Sequence, residues 1–124
     1  MRVLIADDYD DTREFIRLLL EFQGIDVVEA RDGREAVERA SSGNLDLILL
    51  DLEMPVMDGF TAVACLRKAA HLRHTPIIAI SAHAGSPWVE RARACGFTHY
   101  LSKPLHFESL AKLMSKYVVA RPAA

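Results

Sequence analysis

The sequence predicts one α/β domain, a doubly wound (βα)5 sandwich of three layers with helices on both faces of a five-stranded parallel sheet. Two observations predict it. Short apolar runs recur five times along the 124 residues, and the longer segments between them carry apolar residues at helical spacing. Strands and helices that alternate in this way pair the strands in parallel, through right-handed crossovers.

The five apolar runs are the predicted strands. The first, third and fourth consist almost entirely of Val, Ile, Leu and Ala, which is typical of strands covered on both faces. The second contains Asp26 and Glu29, so we predict it at an edge of the sheet. The runs cover residues 3–6, 25–30, 45–50, 77–80 and 97–101.

Apolar residues spaced i, i+3, i+4, i+7 predict one-sided helices early and late in the chain. The two stripes are Phe15, Leu18, Leu19 and Phe22, and Leu110, Leu113, Met114 and Tyr117. Glycines at positions that would end helices, and a proline suited to a first turn, agree with this pattern. These residues are Gly24, Gly43, Gly96 and Pro87.

Composition and charge exclude several classes of protein. The chain is 51% hydrophobic and 26% charged, as an ordinary globule is, and its net charge of −2 gives no broad attraction for nucleic acid or anionic lipid. No apolar stretch approaches the roughly 20 residues of a membrane span, and Arg2, Asp7 and Asp8 exclude a secretory signal peptide at the start, so we expect a cytoplasmic protein. Cys65 and Cys95 form no CxxC motif and are expected to be reduced thiols. We expect residues 1–120 to form the domain and 121–124 a short loose tail.

Polar residues of complementary charge follow four of the predicted strands. Asp7 and Asp8 follow the first, Asp51 the third, Ser81 the fourth, and Lys103 lies two residues beyond the fifth. Ligands of open α/β sheets bind beyond the carboxyl ends of the strands, so we expect these side chains to converge. Carboxylates about 5 Å apart repel by roughly 3 kcal/mol per pair, which requires a cation among them. Oxygen ligands favour Mg2+.

This set of residues suits phosphoryl transfer. A carboxylate beside a divalent ion and an ammonium group can attack a phosphoryl donor and form an acyl phosphate. Asp51 is the best-placed nucleophile. Asp7 and Asp8 would hold the metal, Lys103 would bind one phosphoryl oxygen, and the Ser81 hydroxyl would donate a hydrogen bond to another.

From residue 2 to about residue 118 the sequence resembles the receiver domain of bacterial two-component response regulators. Four stretches carry the resemblance: Leu-Ile-Ala-Asp-Asp at 4–8, Leu-Asp-Leu-Glu-Met-Pro-Val-Met-Asp-Gly at 50–59, Ala-Ile-Ser-Ala-His at 79–83 and Tyr-Leu-Ser-Lys-Pro at 100–104. The resemblance implies a flavodoxin-like fold with strand order 2-1-3-4-5. It also implies that Asp51 accepts phosphate from a phosphohistidine on a kinase or phosphotransfer protein. Magnesium is then bound by Asp8, Asp51, the backbone carbonyl of Glu53 and, through water, Asp7.

The resemblance further implies a conformational switch made of Ser81 and Tyr100. Its usual output surface is the face formed by helix 4, strand 5 and helix 5, which would bind a downstream protein. Such a domain catalyses only its own phosphorylation and dephosphorylation and is not an enzyme with a separate substrate. We expect Glu53 and His83, each two residues beyond a site residue, to change the lifetime of the acyl phosphate.

Other interpretations remain open at this point. The chain could be a non-phosphorylated interaction module on the same scaffold, although such modules usually lose an acidic or lysine residue that is kept here. It could act alone or belong to a longer protein such as a hybrid kinase. Trp88 could pack or face a partner. We interpret His71 and His74 as a solvated helix end, and the basic residues as scattered exposed charges; these are Arg67, Lys68, Arg91, Arg93, Lys112 and Lys116.

Overall fold

A computed structural model describes residues 1–117, so the predicted tail at 121–124 lies outside the described residues. The strands are β1 (Arg2–Ala6), β2 (Asp26–Ala30), β3 (Leu47–Asp51), β4 (Ile77–Ser81) and β5 (His99–Ser102). The helices are α1 (Asp10–Phe22), α2 (Gly33–Ser41), α3 (Gly59–Lys68), α4 (Ser86–Cys95) and α5 (Phe107–Met114), with a short 3₁₀ helix at Ala70–Leu72.

The strands form one parallel sheet in the order β2-β1-β3-β4-β5. The predicted fold class and the strand order implied by the resemblance are both confirmed, and β2 lies at an edge as its charges predicted. All five strands point the same way, so their carboxyl ends share one edge of the sheet.

Two apolar clusters hold the three layers together, one on each face of the sheet. On one face α1 and α5 pack through residues such as Ile16, Leu110 and Met114; on the other, α2, α3 and α4 pack through residues such as Ala36, Val63 and Ala92. Alternate residues of each central strand belong to the two clusters. This explains why β1, β3 and β4 contain long uninterrupted apolar runs.

Three of the four residues in the apolar stripe predicted for the first helix are exposed, and of the four only Leu19 packs against the core. Ile16 and Leu20 form the buried side of α1, whereas Phe15 and Leu18 are exposed and Phe22 is 93% exposed. The later stripe is confirmed at Leu110, Leu113 and Met114, which are buried in α5.

Three predicted strands begin one or two residues too early. Ile25, Leu45 and Phe97 belong to the two buried apolar clusters but lie in the loops that precede their strands. Gly24 and Gly96 end helices at positive φ, and the proline at position 87 lies in the first turn of α4, as predicted.

Arg67 is the clearest departure from the expected exposed charges. Its guanidinium donates to the carbonyl oxygens of Gly96 at 2.9 Å, Leu72 at 2.8 Å and Thr75 at 2.7 Å. It therefore ties α3 to the segment before β4 and to the α4–β5 turn, and burial lowers its pKa.

The loop after β3 packs against the end of that strand, and Gly59 is the point of closest approach. A Cβ atom added to Gly59 would collide with the backbone of Asp51 and Leu52, so glycine is required there for close approach and not for an unusual φ. The positive φ of this loop belongs to Val56, at 69°. Within residues 1–117, none of the helices combines the length and the hydropathy needed to cross a bilayer.

Candidate functional site

Three carboxylates meet where β1 and β3 end. Asp7 and Asp8 directly follow β1, and Asp51 is the last residue of β3. One oxygen of each lies within 4.8 Å of the others. Asp7 is fully buried and Asp51 is 2% exposed, whereas Asp8 faces solvent. The three acids therefore lie together as predicted, and of the three only Asp8 is exposed to solvent.

Asp7 is a buried carboxylate whose two oxygens are unequally satisfied. Its Oδ1 accepts a hydrogen bond from the backbone N–H of Tyr9 at 2.8 Å. Its buried Oδ2 has no hydrogen-bond partner among residues 1–117; the Lys103 ammonium lies 3.2 Å away but without the geometry of a hydrogen bond. A buried carboxylate oxygen left in this state is costly, and a hard cation bound between the three acids would satisfy it. The donor set thus fits magnesium.

Asp51 is held by a hydrogen bond to each of its carboxylate oxygens. Oδ1 accepts from the backbone N–H of Glu53 at 3.0 Å, and Oδ2 accepts from Nζ of Lys103 at 3.0 Å. Burial raises the pKa of Asp51 to about 6, helped by the charge of Asp7 and opposed by these two hydrogen bonds. The carboxylate is fixed in position, but its two hydrogen bonds do not fully offset the cost of burying its negative charge.

Lys103 reaches the acids from the end of β5. The peptide bond between Lys103 and Pro104 is cis, and the Lys103 backbone N–H donates to the carbonyl of Ser81 at 2.6 Å. Burial opposes the charge of the ammonium, but the hydrogen bond to Asp51 and the charge of Asp7 raise its pKa overall. The lysine is therefore a fixed cation beside Asp51.

Ser81 and Tyr100 are linked through the backbone of one residue. The buried Ser81 Oγ accepts from the N–H of His83 at 3.0 Å, and the Tyr100 hydroxyl donates to the carbonyl of His83 at 2.6 Å. A change at the Ser81 hydroxyl is thus connected to the tyrosine ring by two hydrogen bonds.

Glu53 and His83 lie at the rim of the site, on the loops that follow β3 and β4. The imidazole of His83 contacts the carboxylate of Glu53, and we call this pair the rim bridge. Sequence reasoning placed both residues near the site but had no means of pairing them. It also left Trp88 undecided; the indole stacks on the His83 ring, with the ring centres 4.0 Å apart. No local sequence signal could have revealed that contact.

Fold and site together define a class of protein: a doubly wound α/β domain with an acidic cluster and a fixed lysine at the carboxyl ends of its strands. A family model of the response regulator receiver domain matches residues 3–115. The chain belongs to this family. It is a phosphorylatable receiver domain of two-component signalling, a class of domain that binds Mg2+ in its active site.

Individual relatives agree with the family match. The chain is 38% identical over 117 residues to the signal transduction histidine-protein kinase BarA of Shigella flexneri; the match covers 94% of this chain but only 13% of that protein. The structure of the chemotaxis response regulator CheY4 of Vibrio cholerae has a TM-score of 0.90 at 32% identity, covering 94% of this chain and 98% of that one.

A third relative was solved with its metal. The receiver domain of the sensor histidine kinase PA1611 from Pseudomonas aeruginosa PAO1 holds a magnesium ion coordinated in its active-site cleft. It is 30% identical, with a TM-score of 0.86, and the match covers 94% of this chain and 95% of that one.

Proposed function

We propose that Asp51 is the phosphoacceptor of a phosphorelay and takes its phosphoryl group from a phosphohistidine on a histidine kinase or phosphotransfer protein. A carboxylate oxygen of Asp51 bonds to phosphorus while the phosphorus–nitrogen bond breaks, and the electron pair of that bond returns to the imidazole. One observation carries the proposal: the Asp51 carboxylate is buried beside an ammonium and two further acids, yet its ionised form is undercompensated. Phosphoryl transfer depends mainly on positioning and on neutralisation of charge, and this arrangement supplies a fixed nucleophile, a fixed ammonium and ligands for a cation.

Four groups of this chain fit a magnesium site: the carboxylates of Asp8 and Asp51, the backbone carbonyl of Glu53 and, through water, the carboxylate of Asp7. The unsatisfied Oδ2 of Asp7 and the close approach of the three acids support this assignment. When bound, Mg2+ supplies positive charge that neutralises the phosphoryl oxygens.

Lys103 and Ser81 hold the remaining phosphoryl oxygens in this proposal. The Lys103 ammonium is already positioned by Asp51 and needs no large movement to bind an oxygen of the new group. The Ser81 hydroxyl can donate a hydrogen bond, since its Oγ acts as an acceptor toward His83. Each group therefore contributes one contact to a transferred phosphoryl.

Phosphorylation shifts a conformational equilibrium at Ser81 and Tyr100. The acyl phosphate adds about two negative charges beside the Ser81 hydroxyl, and the His83 backbone transmits a change there to the Tyr100 ring. Moving such an equilibrium from 1:99 to 99:1 requires about 5.5 kcal/mol of differential stabilisation. The face formed by α4, β5 and α5, which includes Tyr100, would present the result to a downstream protein.

The phosphohistidine partner fits a different surface. An apolar groove of about 670 Å3 lies beside Lys103, lined by residues that include Tyr9, Phe15, Pro104 and Leu105. Its position next to the proposed acceptor supports docking of the phosphodonor protein there. The chain then acts as a switch that catalyses only its own phosphorylation and dephosphorylation.

Mass spectrometry tests this function directly. The purified chain is incubated with Mg2+ and acetyl phosphate, and the intact mass is measured with and without EDTA. We expect a gain of one phosphoryl group that depends on Mg2+ and is lost in Asp51→Asn. Asp26→Asn, at the start of β2, is the matched control and should be phosphorylated normally. A wild-type chain that gains no mass would contradict the proposed function and favour a non-phosphorylated interaction module.

A further inference from the structure

Trp88 in the first turn of α4 is part of a stack of rings beside the proposed phosphorylation site. Its indole lies parallel to the His83 imidazole, at 4.0 Å between centres and 6° between planes. Its other neighbour is Phe60 of α3, with centres 6.3 Å apart, and the Arg91 guanidinium lies 3.9 Å from the centre of the Phe60 ring. The indole is thus fixed between α3 and the histidine.

The rim bridge spans the two strands that carry the reacting groups. Glu53 belongs to the loop after β3 and His83 to the loop after β4, and these strands are neighbours, with Asp51 paired to Ile80. The side-chain contact therefore joins the two loops just beyond the strand ends where Asp51 and Ser81 lie.

The bridge by itself is too weak to stay closed. The side chains of Glu53 and His83 are 57% and 42% exposed, and an exposed polar contact of this kind contributes little to stability because water competes for both groups and both side chains lose freedom. An aromatic stack contributes more than that and fixes the plane of the imidazole. The stack on Trp88 is thus the contact that can hold His83 against Glu53.

We propose that Trp88 is a positioning residue: it holds the His83 ring against Glu53 and so keeps the rim bridge closed over the acyl phosphate. This inference rests on the proposed function, in which Asp51 is phosphorylated. Hydrolysis bonds a water oxygen to phosphorus and breaks the bond from phosphorus to the Asp51 oxygen. The electron pair stays on the carboxylate, and both protons of the water leave with the inorganic phosphate as H2PO4−. A closed bridge slows this reaction because it limits the approach of water.

The lifetime of the phosphorylated chain tests this role. Each variant is phosphorylated with acetyl phosphate and Mg2+, the donor is removed, and the loss of phosphoryl mass is followed with time. We expect Trp88→Ala to shorten the lifetime about fivefold, and Trp88→Phe, which keeps a stacking ring, to restore most of it. His83→Ala should act like Trp88→Ala, and the double variant should be no faster than either single variant.

Fluorescence supplies a readout that does not need phosphorylation. Trp88 is the only tryptophan of the 124 residues, so its emission reports on the stack alone. We expect His83→Ala to change the emission of the unphosphorylated chain in EDTA. Phe22→Ala, which removes an exposed aromatic ring at the far end of α1, should change neither emission nor lifetime.

The outcomes separate the two proposals. If the wild-type chain cannot be phosphorylated, both the proposed function and this inference are wrong. If it is phosphorylated but Trp88→Ala keeps the wild-type lifetime, only the role of Trp88 is wrong. A double variant whose lifetime shows the two single effects multiplied would likewise overturn the inference, because Trp88 would then act independently of His83.

Discussion

Nζ of Lys103 lies 3.0 Å from Oδ2 of Asp51, although the two residues are 52 positions apart in the chain. The same Nζ is 3.2 Å from Oδ2 of Asp7, so one ammonium serves two buried carboxylates. Burial, with the charge of Asp7, keeps the pKa of Asp51 raised although this ammonium lies beside it. The two buried carboxylates are therefore only partly neutralised, and a bound cation would neutralise them further.

Removal of the Asp51 charge should stabilise the metal-free chain. Burial raises the pKa of Asp51 from 3.8 to about 6, so the folded chain binds this proton more tightly than the unfolded chain, and stability falls as pH rises between those values. In EDTA at about pH 8, we expect Asp51→Asn to increase the free energy of unfolding by at most about 3 kcal/mol. Urea unfolding measures this. At about pH 4 the gain should nearly vanish, and an equal gain at both pH values would contradict the electrostatic explanation.

Magnesium should stabilise the wild-type chain through the same carboxylates. At a concentration about ten times its Kd, a ligand that binds only the folded state adds about 1.4 kcal/mol to the free energy of unfolding. We expect thermal unfolding to show this gain for the wild type and to show much less for Asp8→Asn, which removes the solvent-facing acid of the cluster. Asp26→Asn is the control and should respond fully. Equal responses of the two variants would place the ion elsewhere.

The sequence predicted the sheet and most of the site for one physical reason. Strands buried on both faces must be apolar throughout, so the polar residue that ends each run is conspicuous, and parallel strands bring these residues to one edge. Asp7, Asp51 and Ser81 could be found in this way. The buried side of α1 could not be predicted in this way, because Phe15 and Leu18 are as compatible with helical spacing as the buried pair Ile16 and Leu20.

Contacts between distant positions account for the other differences. Arg67 donates hydrogen bonds to carbonyl groups up to 29 positions away in the chain. The neighbouring sequence does not distinguish it from the exposed Lys68. Trp88 meets Phe60 and His83 only when α3 and α4 lie side by side. Spacing along one element carries no information about such partners, so these roles require the three-dimensional structure.

Arg67 should be necessary for stability although it lies far from the phosphorylation chemistry. Arg67→Ala leaves the carbonyl groups of Leu72, Thr75 and Gly96 without their donor, and we expect a loss of about 2–4 kcal/mol in urea unfolding. Lys68→Ala, at the exposed neighbouring position, should change stability by less than about 0.5 kcal/mol. Similar losses in both variants would show that the hydrogen bonds of Arg67 contribute nothing specific.

Val56 should be replaceable with a gain in stability. Its φ of 69° is unfavourable for a β-branched residue, and its side chain is 76% exposed, so little packing is lost on substitution. Asparagine tolerates this conformation, and we expect Val56→Asn to raise the free energy of unfolding by about 1 kcal/mol. Val56→Ile keeps the branched side chain and should show no gain. The prediction is wrong if both variants unfold at the same urea concentration.

Gly59 should be one of the least replaceable residues near the site. The added Cβ of Gly59→Ala would overlap the backbone of Asp51 and Leu52, so the loop after β3 must move away from the strand end. We expect a loss of about 2–4 kcal/mol in urea unfolding, together with weaker Mg2+ binding, since Asp51 and the Glu53 carbonyl shift with the loop. Gly43→Ala is the matched control, because its Cβ would meet only ordinary contacts, the nearest being Nη1 of Arg2 at 3.7 Å. A Gly59→Ala chain as stable as Gly43→Ala would show that the loop can rearrange without strain.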